Sequence, residues 1–213
     1  MRYRHVIWDF NGTLLDDARL NWRIGNEMLI ADGREPISFE LYISWVEYPI
    51  QRHYEKLGYD LSPEEFREAS ERFNKQYESR FHEAGLQAGV LEVLERLREI
   101  GLTQSILSAY HQAGLDSAVE TLGIREYFTD IIGLSDKLGR SKVQNALDWI
   151  ERRGLSAEGL VMVGDTLHDA EVAEALGCGC VLFSGGLNDR KRLIGSGQPV
   201  IDHMDELLPV LGL

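Results

Sequence analysis

The sequence predicts an α/β protein in which a parallel sheet carries helices on both faces, interrupted near its start by an all-helical insert. Three observations point there. Short apolar runs such as Val6-Ile7-Trp8 and Leu160-Val161-Met162-Val163 are continuous rather than alternating, as in strands buried on both faces. Segments of helical apolar spacing lie between these runs, and that alternation marks a doubly wound layer. Residues 16–85 break the rhythm, because they hold no clear buried strand while their apolar residues recur at helical spacing.

Strands are expected at His5–Phe10, Leu102–Ser108, Asp130–Leu134, Leu160–Gly164, Gly179–Phe183 and Pro199–Ile201. In Ala88–Ile100, the residues Val90, Leu91, Val93, Leu94 and Leu97 form one broad stripe, and Gly101 supplies the stop. Further helices are expected at Leu115–Leu122, Ser141–Arg153, Asp169–Leu176 and Met204–Leu211, each followed by a glycine that can end it in the left-handed conformation. Inside the insert, Leu20, Ile24 and Met28, then Phe66, Phe73 and Tyr77, keep helical spacing. Ser62-Pro63-Glu64-Glu65 is a capping box with proline at the first helical position, so a long helix starts there. Trp22, Tyr42, Trp45, Tyr48 and Tyr54 read first as core of the insert and second as a pocket lining.

The 213 residues are 44% hydrophobic and 27% charged, which suits a folded chain of one large domain or a core with a smaller insert. Thirty-five acidic against 22 basic residues give a formal net charge of −13. That balance disfavours nucleic acid or an anionic membrane as partner, whereas a small phosphorylated ligand needs only a local pocket of positive charge. No apolar run approaches the ~18 residues of a membrane span, and Met1-Arg2-Tyr3-Arg4-His5 leads into a strand rather than a signal peptide. A cytoplasmic monomer or homodimer is the expectation. Cys178 and Cys180, two apart in a strand, share a face and read as small buried hydrophobes rather than as a disulfide or metal ligands.

Four segments at predicted strand ends carry chemistry, and open α/β sheets place their ligand crevice there. Asp9 ends the first strand, and the Asn11-Gly12-Thr13 turn can aim backbone N–H groups at an anion. Ser108 ends the second strand, where its hydroxyl and the neighbouring Ala109 amide can hold phosphate oxygens; a plain helix N-cap is the competing reading. Lys142 opens a helix, a place the dipole disfavours for a cation, so it wants an anion nearby. Arg140 competes for that role, and Lys137 reads as solvated. Finally, Asp165 and Asp169 stand four apart after a buried strand, a pairing that suits Mg²⁺, although Asp169 is also a good helix N-cap.

In this order and spacing the four segments resemble the motifs of the haloacid-dehalogenase-like (HAD) phosphohydrolases, especially the phosphoglycolate-phosphatase-like members. The resemblance covers nearly the whole chain and implies a Rossmann-like core of residues 1–15 and 86–213, with a helical cap at residues 16–85. It further implies a Mg²⁺-dependent phosphoryl transfer through an aspartyl-phosphate. Asp9 would be nucleophile and metal ligand, joined at the metal by the Asn11 backbone carbonyl and Asp165, while Asp169 would bind the metal directly or stand just behind its ligands and would also orient Lys142. Gly12, Ser108, Ala109 and Lys142 would bind the phosphoryl group, and the cap would choose the leaving group.

One departure limits this expectation. The usual first motif is Asp-x-Asp-Gly-Thr, and its second aspartate is the general acid–base; here that residue is Asn11. An amide cannot move a proton at neutral pH, a loss typically worth ~10²–10⁴ in rate. Three readings follow: a slow phosphatase or one with another base, His168 and His111 being the candidates; an enzyme for leaving groups that need no proton, such as acyl phosphates; or a phosphoryl-ligand binder with little turnover. The third motif lacks the Lys-Pro pair common in this group. A dehalogenase is disfavoured by Gly164-Asp165, and a phosphonate-cleaving enzyme would need a Schiff-base lysine, for which only Lys56 and Lys75 offer themselves. A receiver-like signalling domain is disfavoured by motif order, since Asp9 precedes the acidic pair.

Overall fold

Strand β1 (His5–Trp8) is buried at all four positions and seeds the sheet. The computed structural model describes residues 2–60, 62–134 and 142–213. After β1 the chain forms β2 (Leu15–Asp16), which pairs antiparallel with β3 (Gly85–Leu86) as a short ribbon where the insert leaves and returns. Between them, among the described residues, the regular elements are all helices: α1 (Ala18–Ala31), α2 (Phe39–Trp45), α3 (Gln51–Lys56) and α4 (Pro63–Arg80), with a 3₁₀ turn at Phe81–Glu83. The predicted capping box starts α4, with the Ser62 N–H donating to Glu65 Oε2 at 2.8 Å.

Beyond the ribbon come α5 (Val90–Glu99), β4 (Thr103–His111), α6 (Gln112–Thr121), β5 (Asp130–Leu134), α7 (Lys142–Arg153), β6 (Leu160–Gly164), α8 (Leu167–Leu176), β7 (Gly179–Phe183), α9 (Arg190–Ile194), β8 (Val200–Ile201) and α10 (Leu207–Leu211). The main sheet runs β5-β4-β1-β6-β7-β8, and every neighbouring pair is parallel. Alternate residues of each strand serve opposite faces, as the period of two requires. Val6, Trp8, Ile106, Val161 and Val163 meet α5, α6 and α10 on one face, whereas Ile7, Leu107, Met162 and Leu182 meet α7, α8 and α9 on the other. Burying one such side chain is worth about 1.5–3 kcal/mol, so both layers contribute.

Several ends differ from expectation for identifiable reasons. Strand β4 continues past Ser108 to His111, because a bulge lets His111 pair with Leu134. The Gln112 side chain extends that ladder, accepting from the Gly133 N–H at 2.7 Å, and α6 starts there rather than at Leu115. Helix α8 starts at Leu167 because Thr166 is its N-cap, with Asp169 completing the capping box from the third helical position. The start of α7 expected at Ser141 falls outside the described residues, as do Arg140 and Lys137. Cys180 is buried in the second layer and Cys178 packs against it, both unpaired. Among the described residues no helix is long and apolar enough to cross a membrane.

Candidate active site

The sheet order reverses at β1: the chain builds outward through β4 and β5, then returns to the other side of β1 for β6 to β8. Strand ends diverge at such a reversal and leave a crevice. Asp9 follows β1 and is pinned by its own N–H, which donates to the Val163 carbonyl at 2.8 Å. Asp165 follows β6, Lys142 opens α7, and Asp169 sits in the first turn of α8.

Three buried carboxylates, Asp9, Asp165 and Asp169, each place an oxygen within 4.8 Å of the others. Lys142, only 4% exposed, donates from Nζ to Asp9 Oδ1 and, at 2.6 Å, to Asp169 Oδ1. One ammonium against three carboxylates leaves two negative charges in excess, and buried charge is costly without a partner. Burial pushes the Asp9 carboxyl up to about 7 despite the pull of Lys142. Burial also raises Asp165 well above the usual range, with repulsion from Asp9 and Asp169 adding to it. For Lys142, burial alone would disfavour the ammonium, but the two carboxylates outweigh it and raise its pKa. Converging oxygen donors with excess negative charge fit a hard divalent cation.

Both far carboxylates are held rigidly. Asp165 accepts from Thr13 Oγ1 at 3.0 Å and from the Leu187 N–H at 2.6 Å. Gly12 and Gly186 make room for it, because a Cβ on either would fall 2.2 or 2.1 Å from Asp165 Oδ2. Asp169 Oδ2 accepts from the Thr166 N–H at 3.0 Å and from its hydroxyl at 2.8 Å. Both Asp169 oxygens are therefore engaged, Oδ1 by Lys142 and Oδ2 by Thr166. Gly12 was expected to offer its amide to a phosphoryl group, but that N–H already donates to Asp17 Oδ1 and the Leu15 carbonyl. Its contribution is space.

Sequence reasoning missed the network around Asn11. Asn11 Nδ2 donates to Asp17 Oδ2 and to the Tyr77 hydroxyl, each at 2.8 Å, and that hydroxyl donates to Asp17 Oδ2 at 2.6 Å. Facing a carboxylate, the amide must present its NH₂, so Oδ1 remains as the acceptor offered to a ligand. Burial raises the pKa of Asp17, against the hydrogen bonds from Tyr77 and Asn11. Nothing in the sequence flags Asp17, whose partner Tyr77 is sixty residues away in α4. The Gly185-Gly186 pair after β7 was the available signal for the loop that supplies the Leu187 N–H.

Above Asp9 lies a cavity of about 710 Å³. Asn11, Ser108, Ala109, Lys142 and Asp169 line its inner end, and Ser108 Oγ accepts from the Tyr110 N–H at 3.0 Å rather than capping a helix. Tyr42, Tyr48 and Tyr54 line it as well, whereas Trp22 and Trp45 do not. Of the two candidate histidines, His168 reaches the cavity, stacked on Tyr48 at 5.0 Å and paired with Glu171 at 2.8 Å. His111 is exposed at the start of α6. Lys56 is tied to Glu47 at the surface and Lys75 is exposed, so neither lines the cavity.

Known proteins resemble this chain in sequence and in fold. The chain is 27% identical over 221 residues to the phosphoglycolate phosphatase of Photobacterium profundum, covering 99% of this chain and 96% of that one. A haloacid dehalogenase-like family hydrolase from Streptococcus pneumoniae superposes with a TM-score of 0.84 at 18% identity, over 99% of each chain. Protein Tyrosine Kinase A of Mycobacterium tuberculosis does so with a TM-score of 0.82 at 24% identity, over 100% and 99% of the two chains, so likeness of fold does not by itself fix an activity. The haloacid dehalogenase-like hydrolase family matches residues 6–183, and with that match over the four strand-end segments the chain belongs to this family.

Proposed function

We propose that the chain is a Mg²⁺-dependent phosphatase acting on a phosphorylated small molecule through an aspartyl-phosphate on Asp9. The core of residues 1–15 and 86–213 carries the chemistry, and residues 16–85 act as a cap over it. One observation supports this reading: Asp9, Lys142 and Asp169 line a single cavity, with Asp165 beside them and carboxylate charge in excess of the one ammonium. The phosphoglycolate phosphatase named among the relatives supports the reaction class.

Asp9, Asp165 and the Asn11 carbonyl would hold the cation, which when bound supplies the charge neutralisation that lets two anions approach. An Asp9 oxygen attacks phosphorus, the P–O bond to the alcohol breaks, and the alkoxide leaves with the electron pair. Ser108 and Lys142 hold the phosphoryl oxygens while Asp169 keeps Lys142 in place. Water then attacks phosphorus, the bond to Asp9 breaks, and inorganic phosphate departs. Asn11 can hold that water through Oδ1 but cannot take its proton. His168, within the cavity, is the proton carrier this reading favours, and acyl phosphates are the substrates least slowed. Asn11 also favours a second reading, a phosphoryl-ligand binder with little turnover.

The test is a phosphometabolite panel with and without Mg²⁺ on the wild type, Asp9→Asn and Asn11→Asp. Mg²⁺-dependent turnover of acetyl phosphate that Asp9→Asn abolishes is expected; retention in that variant removes Asp9 as nucleophile. Binding without turnover, awakened by Asn11→Asp, selects the second reading.

A further inference from the structure

An ordinary alcohol leaves its phosphate ester as an alkoxide that must be given a proton, and Asn11 has none to give. The insert brings another acid to the catalytic end of the cavity. Tyr48, in the loop between α2 and α3, lines the cavity together with Asp9, Asn11 and Lys142. Its ring stacks on that of His168, with centroids 5.0 Å apart and planes 20° from parallel. His168 immediately precedes Asp169 in the first turn of α8, so the stack sets Tyr48 beside the carboxylate cluster.

Two residues before Tyr48 the insert is clamped to the core. The Val46 carbonyl accepts from Arg192 Nη1 at 2.6 Å and from Asn188 Nδ2 at 3.1 Å, and the Ser44 carbonyl accepts from Arg192 Nη1 at 3.0 Å. Asn188, only 2% exposed, turns its Oδ1 to the Leu167 N–H at 3.1 Å. One buried amide therefore ties the backbone just before Tyr48 to the backbone just before His168, and the two stacked rings share that anchor.

The hydroxyl of Tyr48 is the part left over. Tyr59 donates to Asp32 at 2.7 Å and Tyr77 to Asp17 at 2.6 Å, although both also line the cavity. The Tyr48 hydroxyl has no such partner among the described residues, and it is not sealed off, since Tyr48 is half-buried and its oxygen keeps accessible surface. Burial pushes its pKa well above the ordinary phenol range, with the carboxylate of Asp9 the strongest of the charges adding to it. The proton therefore stays in place until a strong base appears, and an alkoxide is one.

Resting on the phosphatase reading above, we infer that Tyr48 is the general acid of the first step, donating its hydroxyl proton to the oxygen of the leaving alcohol. As Asp9 attacks phosphorus and the P–O bond breaks, the electron pair stays on the alcohol oxygen, which takes the Tyr48 proton and departs as the neutral alcohol, leaving a phenolate. When water then attacks the aspartyl-phosphate, its proton passes to His168 and on through cavity water to the phenolate, which restores Tyr48.

Benzyl phosphate and p-nitrophenyl phosphate carry rings of similar size, but only the benzyl alkoxide needs a proton to leave. With Mg²⁺ in excess, kcat/KM on each reports the first irreversible step, the attack by Asp9. In Tyr48→Phe, which keeps the ring stack, kcat/KM should fall about 100-fold or more for benzyl phosphate and less than about threefold for p-nitrophenyl phosphate. The urea midpoint should match that of the wild type, because the hydroxyl has no partner to lose. Equal losses on the two esters, with or without a lowered midpoint, make Tyr48 a matter of shape and overturn the inference. A wild type that hydrolyses p-nitrophenyl phosphate but not benzyl phosphate overturns it too, and both results leave the phosphatase reading standing. A wild type with no Mg²⁺-dependent turnover of either ester sinks that reading itself, and the proton donor with it.

Discussion

The floor and the ceiling of the one cavity are built on different physics. On the floor the charged groups are held by fixed partners: Asp165 by Thr13 and Leu187, Asp169 by Thr166 and Lys142, and Asp9 by Lys142. On the ceiling, rings meet rings at centroid distances from 4.9 to 6.4 Å, and His53 Nδ1 goes unpaired. Groups on the floor are preoriented for charge that moves during reaction, which is where electrostatic catalysis gains most. The ceiling offers apolar and aromatic area, which is how a pocket discriminates among leaving groups. The two meet at Tyr77, whose hydroxyl descends from α4 onto Asp17 and Asn11, and at Asn188 and Arg192, which hold the Val46 carbonyl at 3.1 and 2.6 Å.

The sharpest way to break this contrast is to discharge the floor. Lys142→Met leaves the carboxylates without their ammonium and the phosphoryl group without its cation. We expect kcat/KM to fall by about 10²–10³, and urea denaturation without metal to show a loss of about 3–5 kcal/mol, the cost of stranding a buried partner. A variant as active as the wild type would show that the floor does not work through charge.

Next comes the corner where the carboxylate is displaced. Asn11→Asp alone sets two carboxylates across the 2.8 Å now spanned by a hydrogen bond to Asp17, and like charges so close retain one proton between them. Adding Asp17→Asn mirrors the present pattern, with the amide at 17 and the carboxylate at 11. For an alkyl phosphate, whose leaving group needs a proton, the double variant should raise kcat by about 10²-fold or more and exceed the single variant. Equal rates in the two would show that Asp17 does not burden a carboxylate at position 11.

How much of this was legible follows the same division. The floor could be read because Asp9 and Asp165 follow continuous apolar strands and Lys142 and Asp169 open the helices beyond, whereas the strand end read at Ser108 lies inside β4. The ribbon of β2 and β3 could not, since two residues carry no period. Nor could the hydrogen bonds of Asn11: periodicity shows Tyr77 only as apolar spacing on α4, while its hydroxyl finds Asp17 through the packing of α4 on α1. The aromatics of the insert were equally ambiguous, because core and pocket lining share one spacing; Tyr54 turns out to do both.

Tyr77→Phe severs the link between floor and ceiling with little change in shape. One Asn11 N–H loses its acceptor and Asp17 loses a donor, so about 1–3 kcal/mol of stability should disappear. Because Asn11 is then held by Asp17 alone, kcat should drop a few-fold while Mg²⁺ affinity, which the proposed ligands Asp9, Asp165 and the Asn11 backbone carbonyl would set, stays put. A stability equal to wild type in urea would mean that the hydroxyl does not tie the layers together.

The smallest effect distinguishes the two regions by pH. Burial holds His5, at the start of β1, and His53, in the insert, neutral with pKa values of about 4, below the 6.5 they have when unfolded. A folded pKa that is depressed means that the unfolded chain binds more protons between those values. Stability from each histidine is therefore complete above about pH 6.5 and drains away as pH falls towards about 4, by at most about 1.4 kcal/mol per pH unit. Asp9, Asp165 and Asp17 act in the opposite sense, because their folded pKa values are raised and their protonation favours the fold as pH falls. Subtracting the urea midpoints of His53→Phe from those of the wild type across pH 7 to 4.5 cancels the carboxylates and leaves the His53 slope. If that slope appears in the fluorescence of Trp22 and Trp45 but not in that of Trp8 and Trp149, the insert opens before the core does; if it appears equally in both, floor and ceiling unfold together.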